Sequence, residues 1–320
     1  MSDPIDVVVQ EVGPRDGLQA TNVIMATEAK IAWLTALAAA GLSQVQVGSF
    51  VPPKLMPQLA DTPELVAAAR NLASFEITVL VPNLKGAERA FATGADQVNF
   101  VMSVSEPHNL NNVRKTREQS LDEFTAIVAA RDGTSGAAEI KVSGGLATCF
   151  GCTIQGTVPE ADVFHYAAEL RERGADKIGL ADTVGYANPT QVKRVYAEVL
   201  DIAGSLPVGA HFHDTRGLGL ANCFAAFEAG ASTLDGAQGG LGGCPYAPGA
   251  TGNVVTEDLA FMLEAMGVRT GIDLDLLLEA RAVMASHLGE EPIHGAFAKA
   301  GEPKGFIPAS VSRRKKQIHV

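Results

Sequence analysis

The chain has 320 residues, 47% of them apolar, which is enough for a large buried core and fits one long domain better than two. Its formal net charge of -11 argues against a nucleic-acid backbone as partner, and an anionic substrate would need local positive charge or a metal ion. Four cysteines without dense spacing fit a reducing compartment, and neither a secretory leader nor an apolar run of membrane length is evident, so a cytoplasmic location without membrane partners is expected.

Residues 5–12 read as a strand broken by Gly13-Pro14. Thr27 can cap a helix whose Ile31, Leu34, Leu37 and Ala38 form one stripe and which Gly41 ends. Residues 42–47 are a second strand with a polar exit loop, and Thr62-Pro63-Glu64 reads as the cap, first-turn proline and first-turn acid of the next helix. A strand over 75–81, a helix from Asn83 to Gly94 and a strand over 98–104 follow. Residues 105–118, rich in asparagine and arginine, read as a loop over one mouth of the fold. Beyond a helix over 121–130, a fifth strand lies between residues 140 and 149. Residues 157–160 have the pattern of a capping box opening a helix that reaches Gly174. Strand 177–181, a helix from Asn188-Pro189 to Gly204, a strand ending in two histidines, helix 218–228 and strand 232–235 complete the alternation, before helices over 257–266 and 274–287.

Helices that end in glycine and are followed by short apolar strands predict an α/β architecture, a closed (β/α)8 TIM barrel over residues 1–290 with a C-terminal helical extension over 291–320. The basic residues 313–316 read as a solubilising tail. An open doubly wound sheet is disfavoured, because Pro14, Arg15 and Asp16 stand where a dinucleotide loop would need glycines.

His211-Phe212-His213-Asp214 lies at the carboxyl end of the seventh strand, where a period of two turns both imidazoles to one face. Such a pair suits a divalent metal, although an acid-base pair or a hydrogen-bonded structural pair would share the spacing. Barrel closure sets strands seven, eight and one side by side, bringing Asp16 to the histidines, and Asn253 in the exit from strand eight can add an amide oxygen. Two imidazoles, a carboxylate and an amide leave open positions for substrate oxygens and suit Mg, Mn, Co or Zn. Arg15 is placed either to stabilise negative charge on a substrate carbonyl or to form a salt bridge at the mouth. Glu11 is either a polar barrel-layer residue or an orienter of Arg15. Cys244 sits in a glycine-dense loop that reads as a mobile lid, whereas Cys149 and Cys152 have redox spacing but stand alone and read as buried.

The segments Gln10 to Gln19, Ser49 to Lys54, Pro82 to Gly86, His211 to Asp214 and Gly240 to Asp258 resemble hydroxymethylglutaryl-CoA lyases, a family of metal-dependent TIM-barrel lyases. The resemblance implies Asp16, His211, His213 and Asn253 as metal ligands, Mg or Mn as the expected ion, Arg15 as catalytic arginine and Cys244 as mobile-loop cysteine. It also matches Asp182 to an active-site aspartate and Glu11 to a first-strand glutamate. The implied reaction cleaves a 3-hydroxy-3-methylglutaryl thioester to acetyl-CoA and acetoacetate, with an acyl-CoA substrate and a homodimer or higher homo-oligomer expected. Gln46, Gly145 and Arg216 depart from the family's acid, tyrosine and tyrosine, and Gln155 from its glutamate. These departures leave open another 3-hydroxy-3-substituted acyl-CoA as substrate. Acyl transfer to a 2-oxo acid and non-catalytic metal or CoA binding are the readings outside the lyase class.

Overall fold

A computed structural model describes residues 5–72, 74–242 and 252–311. Its first half runs β1 (Val8–Glu11), α1 (Thr27–Ala39), β2 (Gln44–Ser49), α2 (Thr62–Leu72), β3 (Glu76–Val81), α3 (Leu84–Phe91), β4 (Gln97–Ser103), α4 (Glu106–Val113) and α5 (Arg117–Gly133). The second half runs β5 (Lys141–Ala147), α6 (Glu160–Glu172), β6 (Lys177–Asp182), α7 (Pro189–Ala203), β7 (Val208–Phe212), α8 (Gly219–Ala229), β8 (Thr233–Gly236), α9 (Thr256–Ala265), α10 (Leu274–Ala285) and α11 (Phe297–Ala300). The strands pair in chain order and all in parallel, and β1 closes the ring on β8 with Val8 opposite Thr233 and Glu11 opposite Gly236. This is the (β/α)8 barrel that the alternation of strands and glycine-ended helices predicts.

Alternation along each strand separates two environments. Val9, Val45, Val79 and Val98 are buried outward, where the amphipathic helices cover them. The opposite parity faces the barrel axis, as hydrogen bonds between non-adjacent strands require: Gln10 Nε2 donates to Thr78 Oγ1 across 2.9 Å, and Lys177 Nζ to Thr233 Oγ1 across 3.1 Å. These layers of the interior are therefore polar, unlike a solid aliphatic plug.

Local expectations fail where side chains find partners beyond their own helix. Residues 105–118 are not a loop: Ser105 caps α4 by accepting from the His108 amide, and Thr116 forms a reciprocal capping box with Gln119 at the start of α5. Thr27 does not cap α1; its hydroxyl bonds Asp61, which also takes the buried Lys30 ammonium. Thr62 is the first residue of α2 instead of its cap, and its hydroxyl holds the Ser49 backbone at the end of β2. Gly48 is required there, since a Cβ would lie 2.3 Å from that hydroxyl. Residues 157–160 form no capping box, because Pro159 occupies the cap position of α6.

After α10 the chain packs back on the barrel. Phe297 stacks on Phe261 with centroids 4.8 Å apart, the His294 amide donates to the Gly239 carbonyl, and Ser310 bonds Glu264. Residues 313–316 lie outside the described residues, where nothing bears on the tail reading. Among the described residues no helix is long and apolar enough to cross a membrane.

Candidate active site

After β1 the chain tightens into one π-type turn, Gly13–Gly17, in which the Val12 carbonyl accepts from the amides of Arg15 and Asp16. Such turns interrupt regular structure and often mark functional sites. Glu11 braces this one from behind. Its Oε1 accepts from the Gly13 and Gln238 amides at 2.7 and 3.0 Å, and its Oε2 from Thr256 at 2.6 Å, tying the loops after β1 and β8 to the start of α9. Full burial pushes the Glu11 carboxyl up to about 8 against the pull of these donors. Glu11 thus positions the turn that carries Arg15, and none of the described hydrogen bonds or ion pairs joins it to the Arg15 side chain.

Asp16, His211 and His213 converge so that their ligand atoms all lie within 4.8 Å of one another. His211 ends the inward row of β7, and His213 follows one step beyond the strand, their ring centroids 5.2 Å apart. The His213 backbone pairs with Asn253, which brings the strand-eight exit over the cluster. The Asn253 amide nitrogen donates to Asp16 Oδ2 and to the Leu241 carbonyl, each at 2.8 Å. Its Oδ1, thereby turned the other way, is buried without a hydrogen-bond partner among the described residues, as is His213 Nδ1. Buried orphan acceptors cost free energy unless a ligand completes them. Two imidazoles, a carboxylate and an amide oxygen form a mixed nitrogen-oxygen donor set, and the orphaned Asn253 oxygen is where such a set would need one more donor. The residues therefore fit a divalent ion.

Electrostatics supports the same reading. Burial pushes the Asp16 carboxyl up, but the Arg15 guanidinium and both imidazoles pull it further the other way, leaving it well below the usual carboxylate range. Burial, with His211 adding to it, lowers His213 to about 4 and keeps it neutral. For His211 burial is outweighed by Asp235 and Asp16, so its net shift is upward. Asp235, which sequence reasoning missed, accepts from His211 Nδ1 at 3.0 Å and leaves Nε2 on the side of Asp16, 3.9 Å away. The available signal was its position as an inward residue of β8, next to the histidine strand.

Arg15 reaches over the cluster with Nε on Gln46 Oε1 and Nη1 on Asp16 Oδ1, and Gln19 adds a bond to the same Asp16 oxygen. Guanidinium carries five N–H donors, and Nη2 makes none of the described hydrogen bonds. Gln46 thus orients the arginine without neutralising it.

The remaining sequence candidates are not among the converging ligand atoms. Asp182, at the end of β6, accepts from the Tyr186 and Ala187 amides at 2.8 and 3.0 Å, one with each oxygen, and is fully buried. Arg216 donates to the Val184 and Gly185 carbonyls and lies over the Tyr186 ring, so both residues brace the loop between β6 and α7. Gly145 faces inward on β5, where a Cβ would meet Val101 Cγ2 at 3.1 Å. Cys149 and Cys152 are buried in the apolar core, and burial pushes the Cys149 thiol up to about 12. Cys244 lies outside the described residues.

Comparison with known proteins identifies the family. The HMGL-like family model matches residues 6–284. Hydroxymethylglutaryl-CoA lyase YngG of Bacillus subtilis is 39% identical over 290 residues, covering 91% of this chain and 96% of that protein. The human mitochondrial hydroxymethylglutaryl-CoA lyase is 39% identical over 277 residues, covering 87% of this chain and 84% of its own. The structure of an HMG-CoA lyase from Acinetobacter baumannii, in complex with coenzyme A and 3-methylmalate, superposes with a TM-score of 0.87 at 43% identity, covering 94% of this chain and 97% of that one. A family match across most of the chain, relatives aligned over nearly their full length and a shared barrel lead to one assignment: the chain belongs to the hydroxymethylglutaryl-CoA lyase family of carbon-carbon lyases.

Proposed function

We infer that the protein cleaves 3-hydroxy-3-methylglutaryl-CoA to acetyl-CoA and acetoacetate. The observation that carries this reading is the convergence of Asp16, His211 and His213 beneath an unpartnered Asn253 oxygen, with Arg15 beside them. In the reaction a base takes the tertiary hydroxyl proton, the adjacent carbon-carbon bond breaks, and its electron pair passes to the thioester enolate, which then takes up a proton. A divalent ion held by Asp16, His211, His213 and Asn253 would lower the hydroxyl pKa and orient the substrate oxygens. Arg15 supplies N–H donors and positive charge for the enolate oxygen, and Gln46 holds the guanidinium in place. Asp182 is a poor candidate for the base, since both of its oxygens already accept backbone amides; removal of the hydroxyl proton is assigned to the cluster instead. By resemblance, Cys244 donates the proton to the enolate carbon.

Mg or Mn is the proposed ion, with Zn or Co compatible with the same donors. The relative bound to coenzyme A and 3-methylmalate, a hydroxy-diacid, supports an acyl-CoA substrate whose acyl part carries a hydroxyl and a distal carboxylate. A homo-oligomer in the cytoplasm remains the proposed setting. The test is release of free CoA from 3-hydroxy-3-methylglutaryl-CoA, assayed after chelation and again after Mg or Mn is restored. Metal-dependent release accompanied by acetoacetate supports the reading, and release unaffected by chelation contradicts it.

A further inference from the structure

Three inward glycines stand abreast on β5, β6 and β7, Gly145 opposite Gly179 and Gly179 opposite Gly209. They are glycines for different reasons. At Gly209 a Cβ would lie 2.9 Å from Lys177 Cε, so that position is taken by the buried lysine, whose ammonium reaches Thr233. At Gly145 a Cβ would press on Val101 at 3.1 Å. At Gly179 a Cβ would meet, among the described residues, only the Gly145 Cα, at the ordinary contact distance of 3.7 Å, and its backbone has no conformation reserved for glycine. Packing therefore does not require glycine at 179, and the space in front of it is open.

That space adjoins the metal cluster. Ala181, two residues along β6 from Gly179, is in register with His211. On the same side of the barrel, Val101, in register with Gly145 on β4, and Leu80, next to last on β3, are half-buried although they face inward, as are Gly145, Gly179 and Ala181. Solvent-accessible surface in the interior of a closed barrel means a chamber, and most of its lining is aliphatic or bare backbone. Asn99 and, on the side of the cluster, His211 and Asp235 supply its polar part.

Resting on the lyase reading above, we propose that this chamber receives an apolar substituent larger than methyl on the hydroxyl-bearing carbon. The substrate class then extends to 3-hydroxy-3-alkylglutaryl thioesters, with Gly179 as the residue that sets the limit. Each methylene buried there strengthens binding about fourfold.

Binding and cleavage test this separately. Calorimetric titration of the Mg-loaded protein with the free acids 3-hydroxy-3-methylglutarate and 3-hydroxy-3-propylglutarate should favour the propyl compound, which has two more methylenes, about fifteenfold. Gly179→Val should abolish that preference, and Gly179→Ala, which fits without strain and safeguards against misfolding of the valine variant, should reduce it. Free-CoA release from the two thioesters should show the same change in ratio. A wild-type preference for methyl, or a ratio unmoved by both substitutions, overturns the chamber. A propyl preference that both substitutions reduce, without release of CoA from either thioester, supports the chamber and overturns the lyase reading.

Discussion

Asp235 Oδ2 lies 3.0 Å from His211 Nδ1, and this contact decides which imidazole nitrogen faces Asp16. A carboxylate on the far nitrogen holds the ring's orientation and raises its basicity as a ligand. Asp235→Asn preserves shape but removes the charge. It should weaken metal binding about 10- to 100-fold by calorimetry while leaving the urea midpoint nearly unchanged, and Asp235→Glu should recover part of the loss. Unaltered metal affinity in D235N would confine Asp235 to packing.

Arg15 touches Asp16 but also Gln46, so its removal should separate rate from metal content. Arg15→Met deletes donors that act on charge developed in the transition state, and loss of one such donor costs about 3 kcal/mol, roughly a hundredfold in kcat. Metal stoichiometry measured by atomic emission should stay at the wild-type level. Reduced metal content with normal turnover per bound ion would make the arginine a support for Asp16.

Asp182 illustrates why the sequence reaches some of this site and not the rest. The two histidines were legible because a period of two and barrel order leave little choice about where they point, and Asp16 follows from β1 lying beside β8. Asp182 stands in an equally suggestive place, but its chemistry depends on the amides of Tyr186 and Ala187, which only the folded turn brings back to it. The glycine three residues on, Gly185 at φ 66°, was the available turn signal. The helices within residues 105–118 were missed for a related reason: their caps are local, but their polar composition matches that of a loop. The barrel itself was readable because its signal repeats eight times.

The loop role of Asp182 has its own consequence. Asp182→Asn retains one carboxamide oxygen and leaves one of two buried amides unsatisfied, so the variant should lose about 1–3 kcal/mol in urea unfolding. Its kcat/KM should fall less than tenfold. A loss of a hundredfold or more without destabilisation would restore Asp182 as the base.

His213 leads to a prediction about pH. In the folded chain burial, together with His211, lowers it to about 4, while the unfolded chain holds it near the ordinary 6.5. Between those values the unfolded state binds the extra proton, so His213's contribution is present above 6.5 and is lost as pH falls toward 4. The slope for one such proton is about 1.4 kcal/mol per pH unit at most. His211, shifted upward, acts above 6.5 instead, its contribution being present below that value and lost as pH rises through its folded pKa. Glu11, raised to about 8, titrates in the opposite sense across part of the same window, its contribution fading as pH rises. The wild-type curve therefore mixes opposing contributions, and the informative quantity is its difference from His213→Asn. Urea unfolding in EDTA at pH 5 and pH 6.5 should show wild type losing stability relative to the variant on acidification, by about 1–2 kcal/mol. Parallel curves for the two proteins would mean that His213 is solvated or paired in the folded state, and the argument for it as a buried neutral ligand would fall with them.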